Sequence, residues 1–330
     1  MKAKLRTGQA AGLSNGVKMA TFSIVTPSYN QGRFIEETIS SVLSQEGDFK
    51  VDFVIVDGGS TDHTLDIVMK YEELVRNNRY LIRCKGIAFR WVSEKDRGQY
   101  HALNKGFSMT NGEIMAWINS DDKYTPWAFK TALEVFQRFP SVEWITGIGT
   151  SWNSKGMMVG VNREIFFTKR LILNGFYPVM KDSFIQQEST FWKRSLWEKS
   201  GGKMDEAMEL AGDFKLWVDF LNHAHLYQVH AVLGGFRTHF DQKTAFKKKE
   251  YRKEVKQIIE KTNNYFSPDD DKSYHIRYSH LKEDWVLREI RIDEKDALSR
   301  SANIQKVEIG PLLHRLLKWR ALFLRKLGKK

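Results

Sequence analysis

Acidic residues recur in this sequence directly after short apolar runs that read as buried strands. Asp57 follows the run at 51–56, Asp96 the run at 89–92, and the pair Asp121 and Asp122 the run at 114–118. Ligands of open α/β sheets sit beyond the carboxyl ends of the strands, so acids placed there face a crevice. Two adjacent carboxylates on a tight turn are hard oxygen donors suited to Mg2+ or Mn2+, and such a cation typically also holds a diphosphate. The competing reading makes Asp121 and Asp122 caps of the helix that Pro126 opens. In the same way, the stretch from Asp57 through Gly58, Gly59, Ser60 and Thr61 to Asp62 makes a turn and a cap without needing a ligand. Asp213 stands just before Phe214, Trp217, Val218 and Leu221, at the start of an amphipathic helix whose other face packs inward.

These acids need a scaffold, and the alternation of β-rich runs with helical spacing supplies one. Strands expected at 22–26, 51–56, 89–92 and 114–118 alternate with helices, the first carrying Ile35, Ile39, Val42 and Leu43 at i, i+4, i+7 and i+8. Residues 27–32 read as a turn. Four such units make a doubly wound α/β fold. Regularity weakens after 144–149, with a helix over 163–174, a loop over 183–190, the Asp213 helix and a strand over 226–232. Beyond Lys247 the chain reads as polar and helical, broken by the Ser-Pro-Asp-Asp-Asp run at 267–271. No internal repeat is visible.

The chain of 330 residues carries 42 % hydrophobic residues and only 6 Pro, against the ~16 of average usage, so it is neither disordered nor of low complexity. Its net charge of +12 favours phosphates, nucleic acid or anionic lipid without choosing among them. Seven of the bases fall in the last twenty residues, which hold no acid. A single cysteine, Cys84, excludes an internal disulfide framework and a Cys-rich zinc module, and suits a reducing compartment. No apolar run approaches ~18 residues, and the start of the chain lacks the apolar stretch of a secretory signal. A cytoplasmic protein is therefore expected, with a disordered leader over 1–19.

The succession TPSYNQGRFIEETISSVLSQ, VDGGSTDHT, SEKDRGQYHALNKGF, GEIMAWINSDD, QQESTFW and GDFKLW resembles, in this order, the family 2 glycosyltransferases of the GT-A fold. The resemblance covers about 21–244. It implies a Rossmann-like doubly wound mixed sheet flanked by helices, in a domain over 20–245 with a nucleotide-binding half (20–125) and an acceptor half (126–245), followed by a C-terminal helical extension (246–330). The activity implied is an inverting transfer of a sugar from a nucleotide-diphosphate donor, a UDP-sugar by preference, to a hydroxyl of a lipid-linked or polysaccharide acceptor, assisted by Mn2+ or Mg2+. By position, Thr26, Pro27, Ser28 and Tyr29 form the loop against the base, Asp57 contacts base or ribose, and Asp96 and Arg97 line the ribose and diphosphate. Ser120, Asp121 and Asp122 fall on the family's DXD position with Ser in first place. That assigns the metal to Asp122 and the ribose or sugar to Asp121. Asp213 matches the catalytic acid and is expected as general base. Gln187 and Glu188 fall on the acceptor side, Glu188 as the rival base, and the region of Arg237 and His239 often brings a basic residue or a metal-binding His.

Such a transfer needs one base near the acceptor hydroxyl and one cation to absorb the charge released on the diphosphate, with no covalent sugar intermediate. A neutral imidazole can ligate a metal, so His239 is a candidate ligand, although a lone His more often has a structural place. Trp192 and Trp217 could stack on a sugar, but aromatics at such spacing are more often core. Over 311–328, Leu312, Leu316, Trp319, Phe323, Leu324 and Leu327 share one helical side while Arg315, Lys318, Arg325 and Lys326 lie opposite. That pattern suits an anchor on an anionic membrane surface; packing on the domain or on a second subunit is the other reading. Two further functions compete: a basic nucleic-acid-binding module, which lacks a motif, and a GT-A domain that binds nucleotide without catalysis.

Overall fold

The computed structural model describes residues 19–162, 165–176, 185–240, 242, 247–262, 265–292 and 307–308. The expected leader, save Met19, and the basic helix at 311–328 lie outside the described residues.

Strand β1 (Thr21–Ser28) is buried at every position but its first, as a run of apolar residues between two neighbours must be. Helix α1 (Ile35–Leu43) turns Ile35, Ile39, Val42 and Leu43 inward and leads to β2 (Lys50–Asp57), parallel to β1. Helix α2 (Thr64–Arg76), packed through Val68 and Tyr71, leads on to β3 (Ile87–Ser93), parallel to β2. The chain then crosses back through α3 (Gln99–Ser108) to β4 (Ile114–Trp117), on the other side of β1. The order β3-β2-β1-β4 reverses direction between β1 and β4, and a reversal of this kind opens a crevice at the carboxyl ends of the strands.

Two local features keep that crevice in place. Strand β1 runs past the expected turn, with Pro27 opposite Val56 and Ser28 opposite Asp57. Strand β4 pairs with β1 only as far as Val25, so on that side nothing requires the N–H that Pro27 lacks. Gly106 lets α3 lie directly on β1, since a Cβ there would come within 2.3 Å of a Val25 methyl carbon.

After β4 come β5 (Lys123–Tyr124), α4 (Ala128–Arg138), β6 (Trp144–Thr146), β7 (Thr150–Trp152), β8 (Met158–Val161) and α5 (Lys169–Leu173). A 3-10 turn at Gln187–Ser189 enters β9 (Thr190–Lys193), which inserts antiparallel between β4 and β6, and α6 (Arg194–Lys199) follows. Then come α7 (Gly212–Leu221), β10 (Tyr227–Val229) and β11 (Gly234–Arg237). The last described elements are α8 (Lys248–Glu260), β12 (Lys272–Ser279) and β13 (Asp284–Arg291), apart from a two-residue strand at Val307–Glu308. The main sheet has nine strands in the order β13-β12-β10-β6-β9-β4-β1-β2-β3, and a second sheet joins Val307–Glu308, β8, β7, β11 and β5.

Trp192 and Trp217 are core residues. Trp217 stacks between Trp117 (5.7 Å, 12°) and Trp144 (5.5 Å, 24°), while Trp192 meets Trp117 edge-on at 5.5 Å. All four are fully buried, which removes both candidates from any sugar-stacking role.

Three expectations need correction. The helix expected over 163–174 is confined to Lys169–Leu173, because the Thr168 hydroxyl accepts from Leu171 N (3.2 Å) and starts it there. The expected loop over 183–190 ends in β9. Among the described residues the C-terminal extension is helical only through α8 and a 3-10 turn at Pro268–Asp271; β12 and β13 form an antiparallel hairpin that adds two strands to the main sheet, β12 pairing in parallel with β10. Ser273, Tyr274, His275 and Ile276 are buried there, and a tertiary partner overrides the polar composition that suggested helix.

Candidate active site

The crevice is walled on one side by the end of β1. Thr26, Pro27 and Ser28 are buried, the two hydroxyls having no partner among the described residues, and Tyr29 beyond them is exposed. Asp57 ends the neighbouring strand, fully buried, with its carboxylate turned onto its own loop. Its Oδ2 accepts from Gly59 N (3.0 Å), Ser60 N (2.8 Å) and Ser93 Oγ (2.7 Å), and its Oδ1 from Ser60 Oγ (2.5 Å). Gly59 turns with φ +86°, a conformation that L side chains rarely adopt. Asp57 thus shapes the turn at 58–60. Asp96 does similar work one strand away, accepting from Gly98 N (2.9 Å) at the start of α3, and a Cβ on Gly58 would lie 2.9 Å from its Oδ2. Arg97 is exposed and pairs with Glu206 at 2.7 Å.

The turn after β4 forms the opposite wall, and its two acids point in different directions. Neither caps the next helix, whose N-cap position is Trp127. Asp122 is buried: Oδ1 accepts from Arg237 N (2.8 Å) on β11 and Oδ2 from Asn119 Nδ2 (3.3 Å). Burial, aided by the charges of Asp121 and Glu188, pushes its carboxyl well above the usual range. Asp121 instead meets His239, Oδ2 to Nε2 at 2.8 Å, joining the end of β4 to the segment after β11. The Thr38 hydroxyl of α1 lies 3.0 Å from Ser120 O and 2.6 Å from Asp122 O and fixes the backbone between them.

Arg237 anchors the same junction. It is 1 % exposed, its guanidinium holds both carboxylate oxygens of Glu37 (3.1 and 3.0 Å) and it lies over the Phe34 ring. Phe34 also packs against the His239 ring, 4.5 Å between centroids. Lys123 completes the cluster at 2.9 Å from Glu37. Burial alone would raise the Glu37 carboxyl, but the two cations outweigh it and hold it below its ordinary value.

Two further carboxyls complete the site, Glu188 buried and Asp213 half-buried. Glu188 sits in the 3-10 turn before β9, beside Gln187, whose amide donates to Trp117 O at 2.7 Å. Burial, reinforced by Asp121 and Asp213, pushes Glu188 up to about 8, and its Oε1 has no partner among the described residues. Asp213 lies in the first turn of α7, one residue inside the helix. It is not the N-cap, which is Ala211, although its Oδ1 accepts from Phe214 N at 2.7 Å. Burial pushes Asp213 up to about 7, with Glu254 adding to the rise.

Asp121, Asp122, His239, Glu188 and Asp213 are therefore gathered from strand ends and turns spread over 121–239, while Asp57, Asp96 and the β1 end lie along the other part of the carboxyl edge. Thr38, Glu37, Asn119, Tyr100 and Glu254 help to hold this arrangement and were not read from the sequence. All but Asn119, which lies three residues from Asp122, act across a long sequence separation, so no local spacing marks them. Asp121 and His239 offer hard oxygen and imidazole donors, and among the described residues no group of three or more His, Cys, Asp or Glu could hold a metal. These donor types suit a divalent cation.

Residues 23–185 match the sequence profile of glycosyl transferase family 2. The putative teichuronic acid biosynthesis glycosyltransferase TuaG of Bacillus subtilis is 34 % identical over 102 residues, covering 31 % of this chain and 36 % of the relative. The chain spans from about a third to just over three fifths of the length of the curated relatives it matches first, 32 % and 62 %. Among solved structures, S. aureus TarS 1-349 in complex with UDP-GlcNAc superposes with a TM-score of 0.54 at 18 % identity, over 74 % of this chain and 68 % of that one. The mannosyltransferase PcManGT of Pyrobaculum calidifontis, in complex with GDP-Man and Mn2+, gives 0.55 at 16 % identity, over 76 % and 67 %. At these identities the two structures establish the fold, a GT-A arrangement with the nine-stranded mixed sheet described above. On its profile match, its strand order and its relatives, the segment 23–185 of this chain belongs to glycosyl transferase family 2.

Proposed function

We propose that this chain transfers a sugar, with inversion, from a nucleotide-diphosphate donor, a UDP-sugar by preference, to a hydroxyl of a lipid-linked or polysaccharide acceptor. The observation that carries the reading is the 2.8 Å contact between Asp121 and His239, set at the carboxyl edge of the sheet beside two carboxyls of raised pKa, Glu188 and Asp213. The nucleotide lies along Thr26, Pro27, Ser28, Tyr29, Asp57, Asp96 and Arg97. Asp121 and His239 would hold a Mn2+ or Mg2+ ion; the metal was expected at Asp122, but both of its oxygens are already bonded to the protein, so it would keep the turn in position. When bound, the cation supplies positive charge against the diphosphate as it leaves.

Asp213 acts as the base. A carboxyl at about 7 is half ionised at neutral pH and basic enough to take the acceptor proton, whereas Glu188 at about 8 stays mostly protonated and suits hydrogen bonding to the acceptor. As Asp213 takes the proton, the acceptor oxygen attacks the anomeric carbon from the face opposite the diphosphate. The bond from that carbon to the diphosphate oxygen breaks, and the nucleoside diphosphate departs with the electron pair. Substrates of this kind are supported by the relative named for teichuronic acid biosynthesis and by the neighbour bound to UDP-GlcNAc. No helix among the described residues is long and apolar enough to cross a membrane; the basic segment at 311–328 provides attachment to an anionic membrane surface by the sequence pattern given above.

The deciding experiment incubates the full chain with a panel of UDP-, GDP- and dTDP-sugars, with Mn2+, Mg2+ or EDTA, scoring thermal shift and release of nucleoside diphosphate. Binding and slow hydrolysis of one donor that depend on the cation are expected. A panel with neither binding nor hydrolysis would overturn the proposal.

A further inference from the structure

The helix that carries Asp213 has no cap of its own. Its N-cap residue is Ala211, which offers no side-chain acceptor, yet the first N–H groups of a helix need partners. Those partners come from two distant elements. On α8, Glu254 accepts from Glu209 N (3.1 Å) with Oε1 and from Leu210 N (3.0 Å) and Ala211 N (2.7 Å) with Oε2. On α3, the Tyr100 hydroxyl accepts from Gly212 N (2.8 Å) and donates to Leu210 O (2.9 Å). The backbone at 212 lies so close to the Tyr100 ring that a Cβ there would meet it at 2.5 Å. Four successive N–H groups, 209 to 212, are thus held from outside, and Asp213 is the next residue.

We propose that Glu254 is a positioning residue for Asp213: by holding the backbone of 209–211 from α8, its carboxylate sets where the head of α7, and with it the Asp213 side chain, stands in the site. The inference rests on the reading of Asp213 as base. It also assigns a role to a residue outside the matched segment 23–185, in the extension that follows the acceptor half. Charge acts in the same direction as geometry. A helix N-terminus bears about half a positive charge and draws a nearby carboxyl down, and a second carboxylate at that end opposes this. The titratable groups that bear on Asp213 are Glu254 and Tyr251 from α8, Tyr100 from α3 and Glu188 from the turn before β9. Among the described hydrogen bonds Glu254 alone of these accepts from the N–H groups of 209–211, while Tyr100 reaches Leu210 O and Gly212 N.

The test uses the full chain with 13C-labelled Asp carboxyls, the Asp213 signal being assigned by its loss in Asp213→Asn. In Glu254→Gln, similar in size but without the charge, the Asp213 midpoint is expected to fall by about half a pH unit or more, roughly threefold in acidity, with the acidic limb of kcat moving alongside. In Glu254→Ala, kcat at pH 8 is expected to fall about tenfold while the donor KM stays within about twofold, because the donor contacts lie on the ends of β1 and β4. An unmoved midpoint in Glu254→Gln would overturn the inference, as would a Glu254→Ala protein whose melting temperature falls while kcat and pH profile stay unchanged. If Glu254→Ala fails to fold, the Glu254→Gln titration still decides. Full turnover in Asp213→Asn would instead refute the base assignment, whatever the Glu254 variants do, so the two failures are told apart.

Discussion

Replacement of Asp213 by Asn should alter activity and stability in opposite directions, and the position of its carboxyl sets both magnitudes. With the group at about 7, a base that must be ionised is about 9 % active at pH 6 and about 91 % at pH 8, so turnover of the wild type should rise about tenfold across that interval. Asp213→Asn should abolish the rise and nearly all turnover while donor affinity stays within a few fold, since a base acts on the acceptor and not on the diphosphate. For stability, the folded carboxyl keeps its proton up to about 7, whereas the unfolded chain loses it near the model-peptide value of 3.8. The folded state therefore binds more protons in that window, and stability falls as pH rises through it, reaching the full penalty above about pH 7. At 1.36 kcal/mol per unit the penalty is on the order of 4 kcal/mol, an upper bound for a site that can relax. Asn carries no charge at any pH, so the variant should gain on the wild type by about 3 kcal/mol between pH 5 and pH 8, the wild type already bearing about 1.6 kcal/mol of the penalty at pH 5. Urea unfolding at pH 5, 6.5 and 8 measures this, with kcat at the same pH values. A stability difference that is flat with pH would refute the raised carboxyl, and retained turnover would refute the base.

Glu188→Gln should keep donor affinity and most turnover, because Gln mimics the protonated carboxyl; loss of turnover there, with a fully active Asp213→Asn, would exchange the two roles. Calorimetry with and without EDTA should find donor affinity lost when divalent cations are removed, and His239→Ala or Asp121→Asn should remove that difference; equal affinity in EDTA would remove the cation from the site. Breaking the Arg237–Glu37 pair by Arg237→Ala should cost about 3 kcal/mol in urea unfolding, as the buried end of a pair that is half exposed at Glu37 is lost; a change below about 1 kcal/mol, the range of surface pairs, would show that this junction is not held by it. The full chain should float with anionic vesicles in a salt-sensitive way and a chain ending at Gly310 should not, while still binding donor; flotation that survives truncation would place membrane contact elsewhere.

The order of strands, helices and strand-end acids could be read directly along the chain, because each rests on periodicity over a few residues. Apolar runs at 51–56 and 114–118, followed at once by Asp57 and by Asp121 with Asp122, have few alternatives to buried parallel strands that end at a crevice. The burial of Trp192 and Trp217 followed from the same logic. The period-two pattern of 272–279 was also present, but a polar composition masked it, and its partner β10 lies more than 40 residues away. The division of labour within the acidic pair was not legible at all. Adjacent residues of one type look equivalent until the fold sends Asp122 to the β11 backbone and Asp121 to His239. Glu254 was hidden for the same reason, as an acid on a polar helix whose partners are backbone N–H groups 43 to 45 residues earlier. Local pattern specifies which face of an element is buried; which distant group completes a carboxylate's hydrogen bonds depends on how elements cross, and the crossing is set by packing across the whole sheet.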